Sequence, residues 1–395
     1  MAERPWSVPL SDIAVDDAIV RAASAAIASG WWSTGPRVAE FERAFARRLG
    51  AGHAVAVSSG TAALHLAAAA CGCGPGDEVV MPALNFVAAA SVVRHLGATP
   101  VFCDVSGAHD PNLDTEDLEA AVTARTRAIV ALHYGGAPCD MDAVLAVAER
   151  HGIVVIEDAA HAPGATYGGR ACGTLGAAGC FSFFSNKNLP IGEGGMVVTD
   201  DAALADRVRL LRSHGMPALS WDRERGHAAG YDVLASGFNY RLDEPRAAIG
   251  LIQLERLDAG NAARARLTAL YRERLDGVAG LTVPSVAGPP QTTSADHLAV
   301  VVLPRGTERA AIRGALAARR IQTSVHYPPI HRFSAYREQA ARPLPRTDDV
   351  GDRLLTLPLF PHMTEAQVHE VADALVDALA DRPAARPRAA GGVGA

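Results

Sequence analysis

The sequence predicts an α/β fold, with a mostly parallel central sheet covered by helices and a smaller C-terminal α+β domain. Three observations carry this. Between residues 53 and 200, short apolar strands alternate with amphipathic helical segments, the pattern of a parallel sheet covered on both faces. Beyond a Gly/Pro-rich linker at 277–294 the order changes to strand, helix, strand. The chain has 395 residues, 49% of them apolar, which is too long for one ordinary domain and enough for a large buried core.

Residues 1–30 read as an N-terminal segment with a helix from Asp16 to Ser29, ended by Gly30. A Ser-Thr-Gly-Pro turn then precedes a helix carrying Val38, Phe41, Phe45 and Leu49 on one face. HAVAVSS is a strand and TAALHLAAAA a helix; DEVVMP, TPVFCDV, RAIVALHY, IVVIED, CFSFF and GGMVVTD continue the strands. The helices between them are FVAAASVVRHLG, DTEDLEAAVTART and MDAVLAVAERHG. Residues 201–215 and 241–276 are helical in pattern. HLAVVVLP, TERAAIRGALAARR and IQTSVHYPP read as strand, helix, strand, and TEAQVHEVADALVDALA closes the chain as a helix. The expected division is an N-terminal segment at 1–30, a large domain at 31–250, a small C-terminal domain at 251–382 and a disordered tail at 383–395.

Net charge is −6 with scattered basic residues, so no electrostatic footprint for nucleic acid is present. MAERPWSVPLSDI has no basic region followed by an apolar run, and no apolar stretch of about 18 residues is uninterrupted. A cytoplasmic protein with no membrane span is expected. The six cysteines form no C-x-x-C pair and no zinc spacing; they read as small buried apolar residues, and no metal site is expected. Of 37 basic residues, 36 are arginine and one is Lys187, so any lysine chemistry falls to Lys187.

Five stretches bear on chemistry. Ser58-Ser59-Gly60-Thr61 joins a strand to a helix, and a helix N-terminus suits a phosphate, although an ordinary capped helix looks the same. IVVIEDAAHAPGA brings Glu157 and Asp158 to a strand's carboxyl end, with His161 three residues on. A carboxylate there can pair with a cationic ring nitrogen or simply cap the next segment. In GCFSFFSNKNLPIGEGGMVVTDD, Lys187 lies in a Ser/Asn-rich turn five residues after Ser182. A nucleophilic lysine must reach a carbonyl and be partly desolvated; the competing reading is a surface lysine. Asn239 and Arg241 precede a helix with Asp243 and Glu244 in its first turn. Phe86 follows a strand, where it can lie on a heterocycle or pack in the core. Singly these signals are weak. Their order, phosphate turn, aromatic, strand-end acid and then lysine, is the layout of a pyridoxal-phosphate (PLP) site on a fold-type-I scaffold.

The chain resembles the DegT/DnrJ/StrS family of sugar aminotransferases from about Gly30 to Pro361. The resemblance is carried by STGPRVAEFE, SSGTAALHLA, GDEVVMPALNFVAAA, IEDAAHAPGA, CFSFFSNKNLPIGEGGMVVTDD, LRSHGM, GFNYRLDEPRAAIG and HYPPIH, in that order. It implies a fold-type-I PLP enzyme working as a homodimer. Lys187 would carry the cofactor as a Schiff base and later move a proton, and Asp158 would keep the pyridine nitrogen protonated. Phe86 would stack on the ring and His161 would sit near its 3-hydroxyl. Ser59, Gly60, Thr61 and Ser182 would hold the phosphate, with Asn239 reaching in from the other subunit. Glutamate or glutamine would give the amino group in a ping-pong cycle, and a keto sugar nucleotide or a keto-cyclitol of aminoglycoside-type biosynthesis would receive it. Asn186-Lys187 argues against relatives that carry histidine and dehydrate. GFNYRLDE and HYPPIH argue against other fold-type-I enzymes, and no DNA-binding helix pair suggests a regulator. GEGG after Lys187 and the WDR-containing loop in the polar stretch 214–237 resemble members of both substrate branches.

Overall fold

The computed structural model describes residues 5–217, 232–339 and 341–381. The expected tail at 383–395 and most of the polar stretch at 214–237 lie outside the described residues. The central sheet has seven strands in the order β1-β9-β8-β5-β4-β2-β3. They are β1 (His53–Val57), β2 (Glu78–Pro82), β3 (Thr99–Cys103), β4 (Thr126–Leu132), β5 (Val154–Asp158), β8 (Ala178–Ser182) and β9 (Gly195–Thr199). Only β9 runs against the rest, pairing antiparallel with both β1 and β8. Two short strands missing from the sequence reading, β6 (Thr166–Tyr167) and β7 (Arg170–Ala171), form a separate hairpin.

Strand side chains alternate between two cores. Ala54, Ala56, Val155 and Phe181 join Phe41 and Phe45 of the helix Pro36–Leu49 on one face. Val55, Val57, Ile156 and Cys180 join the helix Gly60–Ala70 on the other. Burial on both faces explains why these strands read as continuous apolar runs. All six cysteines are free and buried.

One 32-residue helix, Glu244–Leu275, spans the expected division at residue 250. Its start packs on the sheet domain, where a Cβ on Gly250 would lie 2.8 Å from Phe41. Its end enters a third core through Leu267, Tyr271 and Leu275, together with the helix Glu365–Ala380. The C-terminal sheet differs from the expected one. β10 (Ala299–Val302) pairs with β11 (Leu354–Leu357), not with IQTSVHYPP. That stretch makes only isolated bridges, Ser324 to Thr356 and Ile321 to Val8, because Pro328 and Pro329 cannot donate to a ladder.

Candidate active site

The expected site residues converge at the carboxyl ends of β1, β2, β5 and β8, where open α/β sheets bind ligands. Ser59, Gly60, Thr61, Phe86, Asp158, His161, Ser182 and Lys187 all line one cavity of about 370 Å³. Asn239 does not line it. It is exposed beside β1, where Ser58 N–H donates to Tyr240 O and Asn239 bridges Ser213.

Ser59 caps the helix Gly60–Ala70, its Oγ accepting from Ala62 N–H at 3.1 Å. The other first-turn N–H groups have no partner within the helix. Two glycines press this turn against its neighbours. A Cβ on Gly60 would lie 2.7 Å from Ser182 Cβ, and one on Gly195 would lie 2.4 Å from Ser59 O. Hydroxyls and helix N–H groups thus crowd into one corner, with the chemistry of an oxyanion or phosphate cradle.

Asp158 is buried, and burial raises its pKa against the usual carboxylate value. Its partners within the fold are few: Ala160 N–H at 3.3 Å and Asn85 Nδ2 at 3.4 Å. A buried carboxylate so sparsely paired is stabilised by a cation placed before it. Neighbouring Glu157 points elsewhere. It is fully buried, and Gly173, Leu175 and Gly176 N–H and His133 Nε2 all donate to it at 2.7–2.9 Å, so it holds the 173–176 turn rather than a ligand.

Burial lowers the Lys187 amine from 10.5 to about 8, opposed by Asp158, which raises it. Near neutral pH about a tenth of the amine is then free base, against roughly one part in three thousand for a solvated lysine. Lys187 and Asn186 also border a second cavity of about 310 Å³, walled by Asp12, Gln253, Arg256 and His362. Among the described residues Asn186 Oδ1 is buried without a partner, an acceptor left for a ligand.

Several residues here were not singled out in the sequence. Asn85 accepts from Phe86 N–H at 2.6 Å, which turns its amide nitrogen to Asp158. Tyr327 lies 5.6 Å from the Phe86 ring, and its hydroxyl is 2.8 Å from His161 Nε2. His297 and His326 complete a cluster in which burial, and then the Lys187 charge, depress the imidazoles; His326 falls to about 4. HYPPIH was the available signal for Tyr327 and His326. Among the described residues no group of His, Cys, Asp or Glu is placed to hold a metal, and no helix is long and apolar enough to cross a membrane.

The cavity suits PLP on its own chemistry: an oxyanion corner, an exposed aromatic (Phe86), a buried carboxylate and a partly deprotonated lysine. Comparison with known proteins agrees. Residues 14–376 match the DegT/DnrJ/EryC1/StrS aminotransferase family. The spore coat polysaccharide biosynthesis protein SpsC of Bacillus subtilis (strain 168) is 42% identical over 381 residues, 94% of this chain and 96% of that protein. The solved structure of DesV from S. venezuelae is 39% identical with a TM-score of 0.84, covering 93% of this chain and 95% of that one. Spr1654 from Streptococcus pneumoniae, solved in PLP and PMP forms, is 27% identical; its PMP form has a TM-score of 0.88 over 95% of this chain and 99% of that one. The architecture is that of the fold-type-I PLP aminotransferases.

Proposed function

The chain belongs to the DegT/DnrJ/EryC1/StrS aminotransferase family, and from that premise we propose that it moves an amino group from glutamate or glutamine to the keto group of a nucleotide-linked sugar, in a ping-pong cycle. It is a PLP-dependent transferase. The observation that carries the reading is that the chain's one lysine shares a cavity with a buried carboxylate and a helix N-terminus.

Bound PLP supplies an electron sink for the donor's Cα. The remaining work is assigned to the chain. Ser59, Gly60, Thr61 and Ser182 hold the phosphate, Phe86 covers one face of the ring, and Asp158 keeps its nitrogen protonated. Lys187 would hold the cofactor through its amine, and that amine, lowered to about 8 by burial, is the base that would take a proton from the donor's Cα. Burial keeps His161, His297 and His326 neutral, so none of them is a cation that would draw Asp158 from the ring nitrogen.

Hydrogen-bonding side chains around the second cavity support a polyhydroxylated acceptor. SpsC is described by its role in spore coat polysaccharide, which favours a nucleotide sugar here over a keto-cyclitol. The exposed position of Asn239, outside its own cavity, supports a homodimer in which it serves the partner's site. Six free thiols suit a reducing cytoplasm. Borohydride reduction of the holoenzyme followed by peptide mapping should find phosphopyridoxyl on Lys187, and its absence with cofactor supplied would sink the reading. Mass spectrometry over a panel of keto sugar nucleotides and inososes, with glutamate or glutamine, separates the acceptors and donors.

A further inference from the structure

We propose that Tyr327 is a cofactor-binding residue of this site, its phenol, held by a neutral His161, donating its proton to the ring hydroxyl oxygen of the bound PLP. This rests on the PLP reading above and assigns to Tyr327 the contact that resemblance alone gives to His161.

The hydrogen-bond directions can be fixed. Gly135 N–H donates to His161 Nδ1 at 3.3 Å. A backbone N–H cannot accept, so Nδ1 carries the lone pair and the proton of the neutral imidazole sits on Nε2. Nε2 is 2.8 Å from the Tyr327 oxygen, which therefore accepts. The phenol keeps its own proton, and among the described residues its hydroxyl makes no other hydrogen bond. That proton is left for a ligand. Tyr327 lines the same cavity as Phe86, Asp158 and Lys187, and its ring leans on that of Phe86 at 51°.

His161 cannot readily take up a second proton. It is buried, its ring lies 4.6 Å from His297, and the Lys187 charge nearby opposes a second one. His297 is held in place from behind. Asn188 Nδ2 donates to Asn261 Oδ1 and Ala295 O, so its Oδ1 accepts from His297 Nδ1. His161 is thus a positioning residue, a fixed strut with one acceptor and one donor. A glutamine amide carries the same pair, with its oxygen for Gly135 N–H and its nitrogen for Tyr327.

The readout is the pH at which the yellow colour of the Lys187-bound cofactor fades. That colour depends on a proton held between the lysine nitrogen and the ring oxygen. A donor to the oxygen drains the negative charge that helps to hold this proton, so it lowers the midpoint. In Tyr327→Phe holoenzyme the midpoint should rise by about one pH unit, a tenfold change in proton affinity, and the PLP dissociation constant should rise severalfold. His161→Gln should leave the midpoint within about 0.3 unit, whereas His161→Leu, which frees the phenol, should shift it in the same direction as Tyr327→Phe. An unchanged midpoint in Tyr327→Phe, or a His161→Gln midpoint displaced as far as that of His161→Leu, would overturn the proposal. Failure of the underlying PLP reading is distinct, since wild-type protein would then stay colourless with cofactor supplied.

Discussion

Replacing Lys187 by methionine should make the cofactor-free protein more stable near neutral pH. The side chain's native pKa is about 8 against 10.5 for a solvated lysine. That difference corresponds to about 3 kcal/mol. Above 10.5 the amine is neutral in both states and there is no penalty. As pH falls from 10.5 to about 8 the unfolded chain takes up a proton that the native site refuses, so stability drops; below 8 the penalty is constant. Methionine has similar length and no charge to desolvate, so near pH 7 the variant should gain up to about 3 kcal/mol, and the gain should shrink towards pH 10. Urea titrations of both apoproteins at the two pH values measure this. A protein with one lysine also gives one ¹³Cε lysine resonance, which should titrate near 8. Its midpoint should fall further in Asp158→Asn, because Asp158 is the group that raises it. A resonance titrating at 10 or above, or a Lys187→Met apoprotein less stable at both pH values, would refute the desolvation argument.

Three further expectations can be checked. Asp158→Asn should bind PLP yet lose most turnover, because a neutral amide cannot hold the ring nitrogen protonated by charge; a loss under tenfold, about 1.4 kcal/mol, would assign that task elsewhere. Glu157→Gln should cost roughly 3 kcal/mol or more in urea unfolding, since its amide nitrogen must face two of the donors now bound to carboxylate oxygens; a cost below about 1 kcal/mol would show that the 173–176 turn does not depend on it. Mixing Lys187→Ala with a strongly impaired Asn239 variant should restore up to one intact site per heterodimer; no recovery despite subunit exchange would place Asn239 within its own chain's chemistry.

Much of the site was legible because its parts are local. Ser59, Asp158 and Lys187 each sit where a strand pattern gives way to a turn, and their order along the chain, more than any one of them, points to the chemistry. What the sequence hid was pairing across distance. Asn85 stands next to Phe86, but its partner Asp158 is 73 residues away. Tyr327 meets His161 across 166 residues, and its stretch reads as a strand until β11 is seen to occupy the place beside β10. The long helix was legible as a helix, but its role in joining two cores was not. Ala247 and Leu257 face the sheet domain, while Leu267 and Tyr271 face the C-terminal core, so no single stripe runs its length.

The start of the chain adds a second tie between these cores. Val8 is buried in the C-terminal core, its carbonyl accepting from Gln322 N–H at 3.0 Å, and Leu10 O accepts from Leu359 N–H at 3.1 Å. The polypeptide leaves the small body, builds the large one, and returns along Glu244–Leu275. Residues 330–347 add more ties, with Ile330 N–H donating to Ala83 O at 2.9 Å and Thr347 N–H to Asp104 Oδ1 at 2.6 Å, and a body moored at several points does not swing like a door on one hinge. Small sliding of packed surfaces is the motion such ties would allow, and shortening the first ten residues should loosen the far end of the chain before it touches the sheet.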